Sequence, residues 1–191
     1  TPDRSMLFLS MSMAASATAA DARSIAFTNG AATVVLNYFA EGFAIISLAP
    51  GAGYAYKLAA HAALTSSGVD TVYLAPGVRV RAALTTTSDV SLLAHSYDGI
   101  IQVAATITGA PVGIAITAIP VSDFGWVQTR GVAAVLTAGT LTIGSPAVML
   151  LSGGTAGAVA PASAATQPEV GLVQMVEGST EWSGIFVTID G

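Results

Sequence analysis

The chain lacks cysteine and is poor in charged residues. Its 191 residues contain no Cys, which excludes disulfides, cysteine-ligated zinc and thiol catalysis. Charged residues make up 9% of the chain, whereas an ordinary soluble domain contains about 25%. A surface with so few charges is typical of a protein that packs against neighbours, so we expect an assembly subunit.

Positive charge is especially scarce. The chain has six Lys and Arg residues and a formal net charge of -5, and Arg79 and Arg81 are its only close basic pair. Nucleic-acid binding needs clustered positive charge, so no nucleic-acid partner is expected. Two long uncharged runs, 99–122 and 131–168, are interrupted by Gly, Pro, Ser and Thr. Neither has the texture of a membrane-spanning helix, so no membrane partner is expected.

Histidine is represented twice, by His61 and His95. His95 precedes Ser96 and lies three residues before Asp98, a grouping that superficially resembles parts of a hydrolase triad. Neighbouring residues of an extended segment point to opposite faces, so His95 and Ser96 would not converge. We therefore predict a turn or surface histidine.

Other reactive patterns are equally weak. Glu177 with Glu181, and Asp89 with Asp98, are carboxylate pairs that lie near each other in the sequence, and neither has a recognisable catalytic context. The Gly-rich stretch 152–157 lacks the Lys and the following helix of a phosphate-binding loop. The sequence therefore predicts a protein that is not an enzyme, with no catalytic residue, no cofactor and no metal site.

One segment of the chain occurs twice. Residues 112–131 are echoed by residues 170–191, and Val170 follows Val112 by 58 residues. The alignment places one inserted residue, Ser183, in the second copy. Each copy contains an apolar run, an acidic-aromatic corner and a second apolar run, so each is expected to supply two strands.

Turn residues recur at short intervals after Gly68, with short apolar runs between them. This pattern predicts an all-β fold: a small antiparallel β-barrel or sandwich that contains the internal pseudo-repeat, with an extended N-terminal arm. Val78 to Arg81 alternates so that both valines share one face. The further predicted strands are 100–107, 112–119, 126–130, 147–151, 170–176 and 185–189.

The expected organisation is an arm over residues 1–30, a β-hairpin and connecting segment over 31–75, and a barrel or sandwich body over 76–191. The hairpin would pair residues 33–38 with 43–48, and the Ala-rich stretch 54–64 has the spacing of a short helix. The first twenty residues resemble a signal peptide, but a retained arm is favoured. Apolar side chains of the arm that need a partner are Met6, Leu7, Phe8, Leu9, Met11 and Met13.

The two tryptophans, Trp126 and Trp182, lie at the corners of the repeat. Large rings at such corners plug a barrel end or a subunit contact, and a stacking role in sugar or base binding is the alternative. Arg130 follows closely and is expected to reach a neighbouring chain. Trp126, Arg130 and Trp182 therefore join the arm residues as the candidate assembly interface.

The octapeptide Phe124–Gly131 is followed by Gly and Pro punctuation at 138–141, 144–148, 157–159 and 170–172. Together these residues resemble the capsid decoration, or cement, proteins of tailed bacteriophages, and the resemblance spans about residues 109–191. It implies a β-rich, non-enzymatic protein on the outer surface of the virion capsid. The implied role is to cement neighbouring major capsid subunits, with an N-terminal arm as a clamp.

The expected partners are therefore the major capsid protein and further copies of the chain, with a homotrimer favoured. An alternative interpretation is a carbohydrate-binding or adhesin-like β domain, because Tyr97, Trp126 and Trp182 are candidates for exposed rings. The two interpretations differ in what the exposed aromatic residues contact: a protein surface or a sugar.

Overall fold

The computed structural model describes residues 13–31, 33–103, 110–150 and 155–190. Every regular element among these residues is a β-strand, which confirms the predicted all-β fold. The strands group into two compact units, an N-terminal unit that ends at Asp98 and a C-terminal unit that begins at Gly99. The predicted body began at residue 76, so the structure assigns residues 76–98 to the N-terminal unit instead.

In the described part of the N-terminal unit, six strands form a single antiparallel sheet. Their spatial order is β1-β6-β3-β4-β5-β2. An antiparallel bridge between Ala15 and Phe27 joins the two edge strands, and the N–H of Ser16 donates to the carbonyl of Ala26 at 2.8 Å. The sheet therefore forms a nearly closed barrel, which removes most exposed strand edges. The strands are β1 (Met13–Ala14), β2 (Ser24–Thr28), β3 (Phe43–Ile46), β4 (Ala55–His61), β5 (Val69–Leu74) and β6 (Asp89–Leu93).

Alternating side chains fill the barrel. Ile25 and Phe27 of β2 and Val72 of β5 are fully buried, while their strand neighbours point outward. Each such side chain stabilises the fold by about 1.5–3 kcal/mol through burial. Val80 is also fully buried although it lies outside the strands, and Arg79 and Arg81 are exposed, so the predicted alternation of this segment holds.

The structure corrects the predicted arm. Residues 1–12 lie outside the described residues, but residues 13–28 supply β1 and β2, and Met13 is buried in the barrel core. Ala26 separates the inward-facing Ile25 and Phe27, so only two large side chains of β2 show the alternation of a strand. The sequence pattern was too short to distinguish a strand from an irregular arm.

The structure also corrects the predicted helix at residues 54–64. This stretch forms β4, with Tyr56, Leu58 and His61 buried. The register of β4 against β5 shifts between Leu58 and Ala60. Because of this irregularity, the buried side chains are two residues apart from Tyr56 to Leu58 but three apart from Leu58 to His61. A spacing of three is also typical of a helix, which explains the wrong prediction.

The predicted hairpin between 33–38 and 43–48 does not form either. β3 pairs with β4 on one side and with β6 on the other, whereas Val34 bridges Leu64. Residues 36–41 form consecutive turns, in which Asn37 and Glu41 have positive φ values of 58° and 59°. Because of these turns, residues 33–38 do not run alongside β3 as a hairpin would require.

The described residues of the C-terminal unit form seven strands in two antiparallel sheets. The larger has the order β11-β10-β12-β13-β9, and β7 and β8 form a separate two-stranded sheet. The inward side chains Val135, Val173, Ile185 and Val187 form part of one core cluster. The strands are β7 (Ile114–Ala115), β8 (Val127–Gln128), β9 (Arg130–Leu136), β10 (Pro146–Met149), β11 (Val159–Pro161), β12 (Glu169–Met175) and β13 (Trp182–Thr188).

Most of the strands predicted for this unit occur, with different lengths. β10, β12 and β13 cover most of the predicted runs 147–151, 170–176 and 185–189, whereas the predicted run 112–119 retains only the two residues of β7. Residues 100–103 are not in a strand, and the rest of the predicted run 100–107 is Ala104–Ile107, which lies outside the described residues.

Candidate assembly interface

The first copy of the repeat forms a short hairpin. Ile114 lies opposite Gln128, and Ala115 lies opposite Val127. The N–H of Ile116 donates to the carbonyl of Trp126 at 3.4 Å, which extends the pairing by one residue. In the described part of the chain, neither β7 nor β8 pairs with a further strand. We call residues 110–128 the first hairpin.

The second copy forms a hairpin with the same register. Leu172 lies opposite Phe186 and Val173 lies opposite Ile185. Adding 58 to each partner of the first hairpin gives these pairs: 114 and 128 become 172 and 186, while 115 and 127 become 173 and 185. A uniform offset therefore describes the strand pairing, without the inserted residue that the sequence alignment placed at Ser183.

The two hairpins differ in their surroundings. β12 and β13 lie between β10 and β9 in the larger sheet, and Val173 and Ile185 are buried. The first hairpin is largely exposed, and so is the connection between its two strands. Ile116, Val121, Phe124 and Trp126 are large apolar residues with most of their surface accessible; Trp126 is 85% exposed.

Close contacts hold the connection of the first hairpin in shape. A Cβ added to Gly125 would lie 2.4 Å from Cγ1 of Ile119, so only glycine allows this approach. The N–H of Asp123 donates to the carbonyl of Pro120 at 3.2 Å, closing a turn in which Ser122 has a φ of 69°. Phe124 and Trp126 are therefore presented by a connection with defined turns.

Trp182 and Arg130 lie on neighbouring strands of the larger sheet. Trp182 is 61% exposed and lies opposite Leu136, while Arg130 lies opposite Thr188. Nη1 of Arg130 donates to the backbone carbonyl of Asp190 at 3.5 Å. Trp182 and Arg130 therefore lie at opposite ends of the paired strands β9 and β13. Trp126, Arg130 and Trp182 are all accessible, as an interface requires.

The arm residues have a different outcome. Met13 is buried within the N-terminal unit and pairs with Val90, so it is not available to a neighbouring chain. This corrects its assignment to the interface. The remaining candidates, Met6, Leu7, Phe8, Leu9 and Met11, lie outside the described residues.

The two histidines have structural roles. Nε2 of His61 accepts a hydrogen bond from the N–H of Phe39 at 2.9 Å, so the ring proton resides on Nδ1 and is donated to the carbonyl of Ala62. His95 lies in a turn, where its Nδ1 accepts from the N–H of Tyr97 and its ring lies 5.8 Å from the Tyr97 ring. His95 is thus the turn histidine that the sequence predicts.

The acidic residues also serve local structure. Oε2 of Glu181 accepts a hydrogen bond from the N–H of Gly178 at 2.8 Å, and the carbonyl of Glu181 accepts from Oγ1 of Thr137. Within the described ranges, no cluster of three or more His, Asp or Glu residues has a geometry that could hold a metal ion. The described residues likewise contain no helix long and apolar enough to cross a membrane.

Comparisons of the chain with protein-family models, with curated proteins and with solved structures give no match. The candidate interface therefore rests on the exposed aromatic and apolar side chains described above. The exposure of the first hairpin was not evident from the sequence, because its apolar residues follow the same pattern as those that are buried in the second copy.

Proposed function

We propose that this protein is a structural component of a virion that binds the outer face of a bacteriophage capsid and cements neighbouring major capsid subunits. The observation that carries the proposal is the first hairpin, which presents Phe124 and Trp126 to solvent. Large exposed rings of this kind dominate the binding energy of protein interfaces once a partner desolvates them.

The chemistry of the first hairpin fits a protein surface. Asp123 is the single charged residue in the segment 110–128, so little hydration of charge would be lost on docking. The segment also contains most of the octapeptide 124–131 that resembles the decoration proteins. A subunit that contacts a repeated surface gains avidity from multiplicity, so each contact can be modest in area.

We now propose that the main contact lies in the first hairpin and not along the whole predicted arm. Residues 13–28 belong to the barrel, so a clamp over the whole of residues 1–30 is no longer part of the proposal. Met6, Leu7, Phe8, Leu9 and Met11 remain candidates for a shorter one. The location on the capsid exterior and the trimeric state also remain predictions.

Co-sedimentation tests this proposal. The purified chain is mixed with empty expanded shells of the phage whose genome encodes it, and binding is measured in the shell pellet. We expect saturable binding that Trp126→Ala weakens at least tenfold, whereas Tyr73→Ala, which removes an exposed ring of the barrel, has no effect. Absence of wild-type binding, or equal binding by both variants, would argue against the proposal.

Carbohydrate binding is the second candidate function, because the exposure of Trp126 also suits stacking on a sugar ring. A sugar site additionally needs polar side chains that converge beside the ring and fix its hydroxyl groups. Around Trp126, the preceding connection offers Ser122 and Asp123 for that purpose. Glycan-array binding by the wild-type chain that is lost in Trp126→Ala would favour this function over capsid binding.

A further inference from the structure

The larger sheet of the C-terminal unit has a second apolar face, opposite the one that covers its core. On β13 the odd-numbered side chains Ser183, Ile185 and Val187 are buried, whereas Trp182 and Phe186 point to the other side. We call this side the outer sheet face. Its apolar side chains are Val132, Leu136, Pro146, Leu172, Met175, Trp182 and Phe186.

Strand register aligns these side chains in rows. Phe186 lies opposite Val132 on β9 and opposite Leu172 on β12, and Leu172 in turn lies opposite Pro146 on β10. One apolar row thus crosses four strands. Strands lie about 4.8 Å apart, so the row is about 14 Å long.

Small residues make the neighbouring part of the face shallow. Gly184 lies opposite Ala134 on one side and Met175 on the other, while Trp182 lies opposite Leu136 one step further along. A Cβ added to Gly184 would lie 3.1 Å from Cβ of Met175, so Met175 covers the glycine. The outer sheet face is therefore shallow at Gly184 and Ala134, between the row that contains Phe186 and the pair formed by Trp182 and Leu136.

The outer sheet face lacks the polar pattern of a solvated sheet. An antiparallel sheet with one face in water normally alternates apolar and polar side chains. Outward positions of the barrel strands include polar side chains, among them Ser24, Thr28, Lys57 and Asp89, beside exposed apolar ones such as Val69 and Tyr73. No charged side chain occurs at the corresponding positions of the larger sheet. These positions lie between 132 and 136 on β9, at 172 and 175 on β12, and between 182 and 186 on β13.

The accessible apolar area is sufficient for a specific contact. Val132 and Trp182 are each 61% exposed, Met175 is 50% exposed and Leu172 is 42% exposed. With Pro146 and Phe186, this is roughly 500 Å² of apolar surface, which lies at the upper end for patches on monomeric proteins. Two such faces in contact would bury about 1,000 Å² in total, the lower bound for a specific interface.

We propose that the outer sheet face binds a second copy of this chain, through the same face. A partner with charged side chains would lose their hydration against a surface that offers no counter-charge. A second copy brings an uncharged face of the same depth and spacing, and two sheets pack well when about 10 Å apart. The charged residues Arg130 and Glu181 lie at opposite margins of the face, where they form a solvated rim.

This two-fold contact is separate from the predicted trimeric state, and it does not depend on the proposed function because it requires no shell. Sedimentation velocity of the purified wild-type chain tests it in the absence of capsid. We expect a reversible species of at least twice the chain mass of 19.0 kDa. Leu172→Lys should raise the dissociation constant at least about tenfold, because it places a charged side chain in the middle of an apolar contact that offers no counter-charge.

The controls separate loss of contact from loss of folding. Val69→Lys adds the same charge at an exposed position of the barrel and should leave association unchanged. The absence of native cysteine also permits a single-cysteine test, in which Leu172→Cys is treated with a short bis-maleimide. We expect a covalent dimer from Leu172→Cys and none from Tyr73→Cys on the barrel. A monomeric wild-type chain at micromolar concentration would overturn the proposal, as would equal cross-linking of both variants.

Discussion

Ala15 and Phe27 form the antiparallel bridge that connects the two edge strands of the N-terminal sheet. The bridge makes the residue just after β1, together with β2, part of a nearly closed barrel. Phe27 is fully buried there, and its neighbour Ile25 is as well. The stability of the N-terminal unit therefore depends on residues that the sequence pattern assigned to an arm.

Phe27→Ala should destabilise the N-terminal unit by about 3–5 kcal/mol, because it removes a fully buried ring and leaves a cavity. Denaturant unfolding monitored by circular dichroism measures the change. Val69→Ala is the control, since Val69 lies opposite Thr28 at the end of the same strand pair and is 70% exposed. The control should change stability by less than about 0.5 kcal/mol. Equal effects of the two variants would contradict the barrel closure.

Truncations separate the arm from the barrel. Deletion of residues 1–12 should leave the barrel folded, because β1 begins at Met13. Deletion of residues 1–30 should unfold the N-terminal unit, because it also removes β2 and the side chains of Ile25 and Phe27 from the core. Amide hydrogen exchange reports the barrel in each variant. Strong protection of β4 and β5 after the longer deletion would show that residues 13–30 are dispensable.

His61→Phe should cost about 1–3 kcal/mol. The substitution keeps a ring of similar shape but removes Nε2, the acceptor for the N–H of Phe39, in a buried position. His95→Phe is the matched change at the other histidine, in a turn at the end of the N-terminal unit, and should alter stability by less than about 0.5 kcal/mol. Thermal unfolding compares the pair. If His95→Phe were the more destabilising change, the structural role assigned to His61 would be wrong.

The all-β class followed from the sequence because turn residues recur at short intervals and helical periodicity is absent after Gly68. The barrel did not follow, since its pattern is interrupted. β4 contains an irregularity between Leu58 and Ala60, and β2 has only two large inward side chains. Pairing between β1 and β6, or between β2 and β5, joins residues that are far apart in the chain and leaves no local signal.

The candidate interface was predictable in part. The sequence singled out Trp126, Arg130 and Trp182, all of which are exposed, but it also included Met13, which is buried. A strand of small and apolar residues does not reveal which of its faces is covered, so the outer sheet face was missed. The repeat offered a partial signal, because Leu172 and Phe186 pair in the register of Ile114 and Gln128.

The repeat contains a glycine at equivalent positions, and we expect the two glycines to respond differently to substitution. A Cβ on Gly171 would lie 2.1 Å from the carbonyl oxygen of Phe186 within the larger sheet. Gly171→Ala should therefore destabilise the C-terminal unit by about 1–3 kcal/mol. A Cβ on Gly113 would lie 2.7 Å from Cβ of Val127. That clash is confined to the first hairpin, so Gly113→Ala should weaken shell binding with little change in unfolding.

Denaturant unfolding and shell co-sedimentation of both glycine variants check this distinction. Gly171→Ala should shift the unfolding midpoint, and Gly113→Ala should shift the binding curve. Large and equal losses of stability in the two variants would show that the first hairpin is part of the folded core, in conflict with the exposure of Trp126.

Cryo-electron microscopy of shells decorated with the wild-type chain would show which residues contact the capsid. We expect the chain on the outer face of the shell, with the connection 116–126 in contact with the major capsid protein and the Trp126 ring buried in that contact. A bound chain whose Trp126 remains in solvent, or shells without bound chain at saturating concentration, would contradict this expectation.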